Sequence, residues 1–237
     1  AVVLNAGAVV TRTSTGNVIT NDESASTLAV NAGASVVGKI ALGGGTDDVI
    51  FNGGDFSGVS AVDGGNGTDS LTFANGAAAV AGSQVTNIEN LAVGSGGDVS
   101  FSGTVNANTL RIESGGRVSG SATVKADVTV EAGATVGPGN SPGLMQVLGD
   151  VNYMSGSTLA LELGGLAFGA EYDRIDVADD GSTAAVEGTA TIEDGTIFDI
   201  DYYGAFTANL GDAFDVLVAD DIDSGMLSAM LFDFSGA

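Results

Sequence analysis

The chain has 237 residues, 44% of them hydrophobic and 15% charged, with 38 glycines, two prolines and no Cys, His or Trp. Without Cys or His there can be no disulfide framework, no Cys/His metal site and no Ser–His nucleophilic couple. A net charge of −24 repels phosphate backbones and anionic lipid, which argues against nucleic-acid binding, and no stretch approaches the ~20 apolar residues of a membrane helix.

The charge is uneven: residues 1–140 hold 12 acids and 5 bases, whereas residues 141–237 hold 18 acids and 1 base. Glycine at this level often accompanies disorder, but disordered chains lack apolar residues, and here Val, Ile, Leu and Ala recur from end to end. Many glycines between regular apolar runs read as short strands joined by tight turns. The chain opens on Ala rather than Met, which is expected of a processed protein or an excised fragment.

In chain order, β-rich runs occur at Val2–Leu4, Thr27–Val30, Val49–Phe51, Ser70–Phe73, Asn90–Val93, Asp98–Phe101, Thr109–Ile112, Thr123–Lys125 and Asp127–Val130. Clusters of Gly, Asn, Asp and Ser separate them, and no long segment has helical periodicity. After the only Pro-bearing stretch, Val136 to Gly143, the predicted strands lengthen: Thr158–Leu163, Arg174–Val177, Thr189–Ile192, Ile197–Tyr203 and Ala213–Val218. Residues 1–137 thus read as solenoid coils, and 138–237 as an acidic continuation or cap.

An internal phrase decides the fold class. It consists of an aliphatic residue, two spacers, Gly, one or two further spacers and a second aliphatic. It occurs at Leu4 to Val9, Val30 to Val36, Val93 to Val99, Ile112 to Val118 and Val130 to Val136. The intervals between its glycines (Gly7, Gly33, Gly96, Gly115, Gly133) are 26, 63, 19 and 18, and 63 is three steps of 21. A coil of that length cannot bury its own aliphatic side chains, so coils must stack. The sequence therefore predicts an all-β parallel β-helix (β-solenoid) with Val30, Ile112 and Val130 inside. About eleven coils would make a rod near 50 Å long, at the ~4.8 Å strand spacing.

A second pair of phrases, Gly43 to Phe51 and Gly64 to Phe73, sets Thr46 and Thr68 one coil step apart, and Phe51 and Phe73 likewise. Residues 64–72 match the calcium-roll nonapeptide, in which Asp and main-chain carbonyls hold Ca²⁺ between turns. Asp47, Asp48 and Asp69 are the candidate calcium ligands. The alternative is a glycine-rich corner in which Asp69 caps backbone amides.

The run Gly137-Pro-Gly-Asn-Ser-Pro-Gly143, then Val147 to Asp150, Gly156 to Leu163, Glu171 to Val177 and Gly211 to Leu217, resembles the C-terminal passenger region of bacterial autotransporters. The match covers roughly residues 108–220 in order and spacing. It implies a right-handed β-helix exported by a Gram-negative-type cell and held at or released from its surface, where this region serves as a stalk or folding cap. No functional residues carry over from the family. Neither the α-helical linker nor the alternating membrane strands that follow such passengers are seen in this sequence; on the resemblance, the expectation is either a barrel cleaved away or export by another route.

Carboxylate pairs occur at Asp47/Asp48, Asp179/Asp180 and Asp220/Asp221, with Asp223 nearby. With 30 acids present some adjacency is accidental, and six bases with no His offer little to steady developing charge, so no catalytic residue is assigned. Tyr202, Tyr203, Phe206 and Phe214 read as core or cap packing, with a sugar-stacking patch as the alternative.

The expected function is therefore non-enzymatic: an extracellular adhesive passenger or stalk. The alternatives are a self-assembling subunit of a filament or layer, joined by head-to-tail stacking, and a calcium-stabilised matrix protein. No cofactor other than calcium is implied, and membrane insertion of this segment is not expected.

Overall fold

The computed structural model describes residues 1–11, 16–21, 23–139, 142–179, 188–223 and 231–233. These form a parallel β-solenoid: apart from one 3₁₀ turn at Gly82–Gln84, every regular element among them is a strand. The longest ladder starts with Val2–Leu4, Thr27–Asn31, Asp48–Asn52, Ser70–Ala74 and Asn90–Val93. It continues through residues 109–112 and 127–130, Val151–Tyr153, Thr189–Ile192 and Asp221–Asp223.

A second ladder carries Gly76–Ala81, residues 97–102, Arg117–Gly120, Thr135–Pro138, Thr158–Leu163, Ile197–Tyr202 and Leu231–Asp233. A third carries residues 103–106 and 122–125, Leu144–Leu148, Arg174–Ala178 and Leu217–Ala219. Where all three ladders run together, each coil contributes a strand to each of three walls.

The repeated phrase is the turn between the first and second walls. Gly7, Gly33, Gly96, Gly115 and Gly133 all have φ between +71° and +83°. That left-handed conformation lets the chain reverse without a Cβ clash. The three-step gap between Gly33 and Gly96 is filled by Gly53 at φ +72° and Asn75 at φ +52°; Asn is among the side chains that best tolerate this region. The turns stack directly: the Gly115 amide donates to the Gly133 carbonyl (3.0 Å), and the Gly133 amide to that of Gly156 (2.7 Å).

Inside, strand alternation aims every second side chain at one column. Val30, Ile112 and Val130 are all fully buried, as the repeat requires. Phe51 and Phe73 stack with ring centroids 5.8 Å apart, and Phe56 meets each edge-on at 5.0 Å.

Coil length departs from the even step of the sequence pattern. Along the first ladder the coils shorten from the opening pair (Val2↔Leu28) to the middle of the rod (Ile112↔Val130), then lengthen markedly (Tyr153↔Ile192). One cause of the lengthening is that residues 164–173 bulge from the second wall before the chain returns at Arg174. Among the described residues this ladder has ten rungs, against the about eleven coils expected from the even step. The predicted strand Ala213–Val218 is likewise corrected, because only Leu217–Ala219 is strand. Phe214 instead sits edge-on to Tyr172 (5.3 Å) and Phe206 (6.0 Å), and the ladder resumes where the Ile175 amide donates to the Val216 carbonyl (2.9 Å).

Candidate functional site

Two polar features stand out. The first is the corner leading into the longest ladder, where Gly44–Gly45 pairs with Asn66–Gly67. Asp47 and Asp69 are fully buried there, one coil apart. Oδ1 of Asp47 accepts from the Ser26 amide (2.6 Å) and from Nδ2 of Asn21 (3.4 Å). Oδ1 of Asp69 accepts from the Asp47 amide (2.8 Å), and the Asp69 amide donates to Oε2 of Glu89 (2.7 Å). One carboxylate per coil thus binds the main chain of the coil before it.

The other oxygens, Oδ2 of Asp47 and of Asp69, are buried with no hydrogen-bond partner. Burial raises the Asp69 carboxyl above its ordinary value; the Asp47 amide opposes this, while the charges of Asp47, Glu89 and Asp48 add to it. Asp48, the third predicted calcium ligand, is exposed at the start of its strand. The corner therefore brings two of the three predicted residues together. Among the described residues no group of three or more acidic side chains is placed to hold a metal ion.

The second feature is a polar cleft of about 320 Å³ on the outer surface of the second wall. Its floor follows one outward row across four coils, Ser119, Gly137, Ala160 and Asp199, the first three with short side chains or none. A Cβ on Gly137 would stand 3.2 Å from Nη2 of Arg117, so the guanidinium lies over the floor. Arg117 also pairs loosely with Asp98 at 3.9 Å.

At the other end, Glu162 stands opposite Asp201 in register. Oε2 of Glu162 is buried without a partner. Asp173, on the bulge, closes the side of the cleft. It is 3% exposed and accepts from the Gly143 amide (2.6 Å) and the Glu162 amide (2.9 Å). Burial pushes its carboxyl up to about 6, against the pull of those two amides, with the Glu162 charge raising it further and Arg117 lowering it.

The remaining predicted acids stay apart from both features. Oδ2 of Asp220 accepts from the Asp179 amide (3.0 Å), Asp221 and Asp223 are exposed, and Asp180 lies outside the described residues. Of the four singled-out aromatics, Tyr202, Phe206 and Phe214 pack against the core, whereas Tyr203 is half exposed. Its ring lies against Gly164, just past Glu162 in the chain.

Sequence reasoning missed the cleft, because its members come from separate segments and each looks like an ordinary outward strand residue. It also missed an asparagine ladder. Nδ2 of Asn31 donates to Oδ1 of Asn5 (2.9 Å), Asn52 to Asn31 (3.1 Å) and Asn75 to Asn52 (2.7 Å). The signal was present, since Asn follows the inward aliphatic of the phrase at both Asn5 and Asn31.

Compared with known proteins, the chain matches no family model, no curated sequence and no solved structure. What fold and site define is a parallel β-solenoid with an acidic hydrogen-bonded corner and a polar cleft on one wall.

Proposed function

We propose that this chain is a non-enzymatic, extracellular structural solenoid, carried as an adhesive passenger or stalk on the surface of a Gram-negative-type bacterium. The observation that supports this best is the ladder of ten stacked strands over a continuous apolar column. Backbone pairing between coils makes the rod stiff, and at ~4.8 Å per step the ladder spans about 43 Å. Inward positions are apolar throughout the column, which leaves the outward residues of each coil to vary with whatever the rod meets. The resemblance of residues 108–220 to autotransporter passengers supplies the cellular setting.

The test has two arms. Small-angle scattering of the purified chain is expected to give an elongated particle, and protease shaving of intact source cells should remove the protein without lysis. A compact particle, or a protein protected until lysis, overturns the reading. A second reading, a subunit of an extracellular filament or layer, draws on the exposed apolar side chains of Leu166, Phe168 and Leu210. Negative-stain micrographs separate the two, since a filament subunit forms long assemblies and a stalk does not.

A further inference from the structure

We infer that the cleft on the second wall is a binding site for a short, neutral oligosaccharide. The inference rests on the surface-rod reading and names the class of ligand that such a rod would engage. Its floor is nearly flat because Ser119, Gly137 and Ala160 succeed one another on adjacent coils. From Ser119 to Asp199 is three coil steps, about 14 Å at ~4.8 Å each. Each step is close to the length of one pyranose unit, so an extended glycan laid along the rod meets one coil per sugar.

The groups around the floor suit hydroxyls. A sugar hydroxyl both donates and accepts, and the cleft offers both partners: Arg117 donates at one end, and the carboxylates of Glu162 and Asp201 accept at the other. Oε2 of Glu162 is a buried acceptor with no protein donor, and leaving such an atom unsatisfied is costly.

Charge sets the class. Four carboxylates, Glu162, Asp173, Asp199 and Asp201, line the cleft against the single guanidinium of Arg117, within a chain of net charge −24. That field repels uronic acids, sialic acids and sulfated sugars, and leaves neutral saccharides. A single basic side chain would satisfy the charge but would leave most of the 320 Å³ unfilled.

The experiment uses the whole chain and calorimetric titration with neutral gluco-, manno-, galacto- and N-acetylhexosamine oligosaccharides of two to four units. A polyuronate and polylysine serve as the charged comparisons. At least one neutral series is expected to bind. Gly137→Val builds a side chain up from the floor at a position whose φ lies outside the left-handed region. It is expected to weaken that binding by about tenfold or more while the melting temperature holds. Glu162→Gln, which barely changes volume, provides a second variant should the first disturb folding, and is expected to weaken binding in the same direction.

Binding only to polyuronate or only to polylysine, no binding to any probe, or unchanged affinity in both variants overturns the inference. An elongated particle that binds none of the neutral sugars removes the ligand class and leaves the rod. A compact particle removes the rod as well.

Discussion

The main-chain amide of Asp47 donates to Oδ1 of Asp69 across 2.8 Å, so a side chain from one coil ties down the backbone of the coil before it. The same carboxylate keeps its second oxygen buried without a partner, beside the charges of Asp47, Glu89 and Asp48.

Asp69→Asn retains the acceptor for the Asp47 amide and puts a neutral NH₂ where the unpartnered oxygen stands. The raised Asp69 carboxyl contributes stability that is complete below its unfolded value and is lost as pH rises through the folded one. In metal-free buffer at pH 7 the variant should therefore melt above the wild type, and the gap should close in acid. A variant that melts lower at pH 7 sinks this account. Repeating the melts in millimolar calcium tests a cation at the corner. An ion held between the two Oδ2 atoms raises the wild-type melting temperature and leaves the variant in place; unchanged curves assign the corner to hydrogen bonding alone.

The asparagine ladder has a middle and an end. Asn52 donates to Asn31 and accepts from Asn75, whereas Asn5 only accepts, from Asn31. At ~0.5–1.5 kcal/mol net per hydrogen bond, Asn52→Ala should cost about 1–2 kcal/mol and Asn5→Ala about half as much. Urea denaturation monitored by circular dichroism reads both. Equal losses at the two positions would mean that the ladder bonds contribute nothing beyond the local turn.

Asp173 makes folding pH-dependent. Its folded value is about 6 against an ordinary 3.8. Because the value is raised, the contribution is fully present below pH 3.8 and is lost as pH rises through 6. Between pH 7 and pH 4 the wild type should therefore gain about 2 kcal/mol on Asp173→Asn. Taking the difference between the two proteins removes the general relief of acidic repulsion that both share. A flat difference profile, or one that favours the variant in acid, would show that folding does not raise the Asp173 carboxyl.

The fold was legible because a solenoid repeats one local problem. Every coil needs a left-handed residue after its inward aliphatic, and that need wrote Gly7, Gly33, Gly96, Gly115 and Gly133 into the sequence at coil intervals. Where Asn75 meets the same need, the phrase vanished from the pattern though the turn did not. Gly76–Ala81 was overlooked for a related reason, since an alanine run shows no alternation even when it pairs in register with residues 97–102. The corner was half legible. Adjacent Asp47 and Asp48 point to opposite sides of the chain as it enters its strand, so pleat geometry keeps the two from sharing a site. The cleft was not legible at all, because the bulge that carries Asp173 sets its register and no local motif marks where that bulge will land.

Two glycines with the same backbone sign separate conformational strain from coil spacing. Gly7 has φ +83° and nothing within 4 Å of a would-be Cβ, whereas at Gly67, φ +139°, that Cβ would stand 1.6 Å from the carbonyl oxygen of Gly45. At Gly7 an alanine faces only the left-handed penalty, about 1–2 kcal/mol. At Gly67 it must also push apart two coils whose Gly44–Gly45 and Asn66–Gly67 strands are paired. Relief requires breaking that pairing, because a main-chain carbonyl cannot rotate away as a side chain does. Gly67→Ala is therefore expected to cost more than Gly7→Ala and to speed amide exchange at Asn66, whose N–H is bonded to the Gly43 carbonyl at 2.7 Å. Gly7→Ala should leave Asn66 exchange unchanged. Equal stability losses with equal exchange at Asn66 would mean that the corner coils are not in contact, and the close stacking described for Asp47 and Asp69 would fall with them.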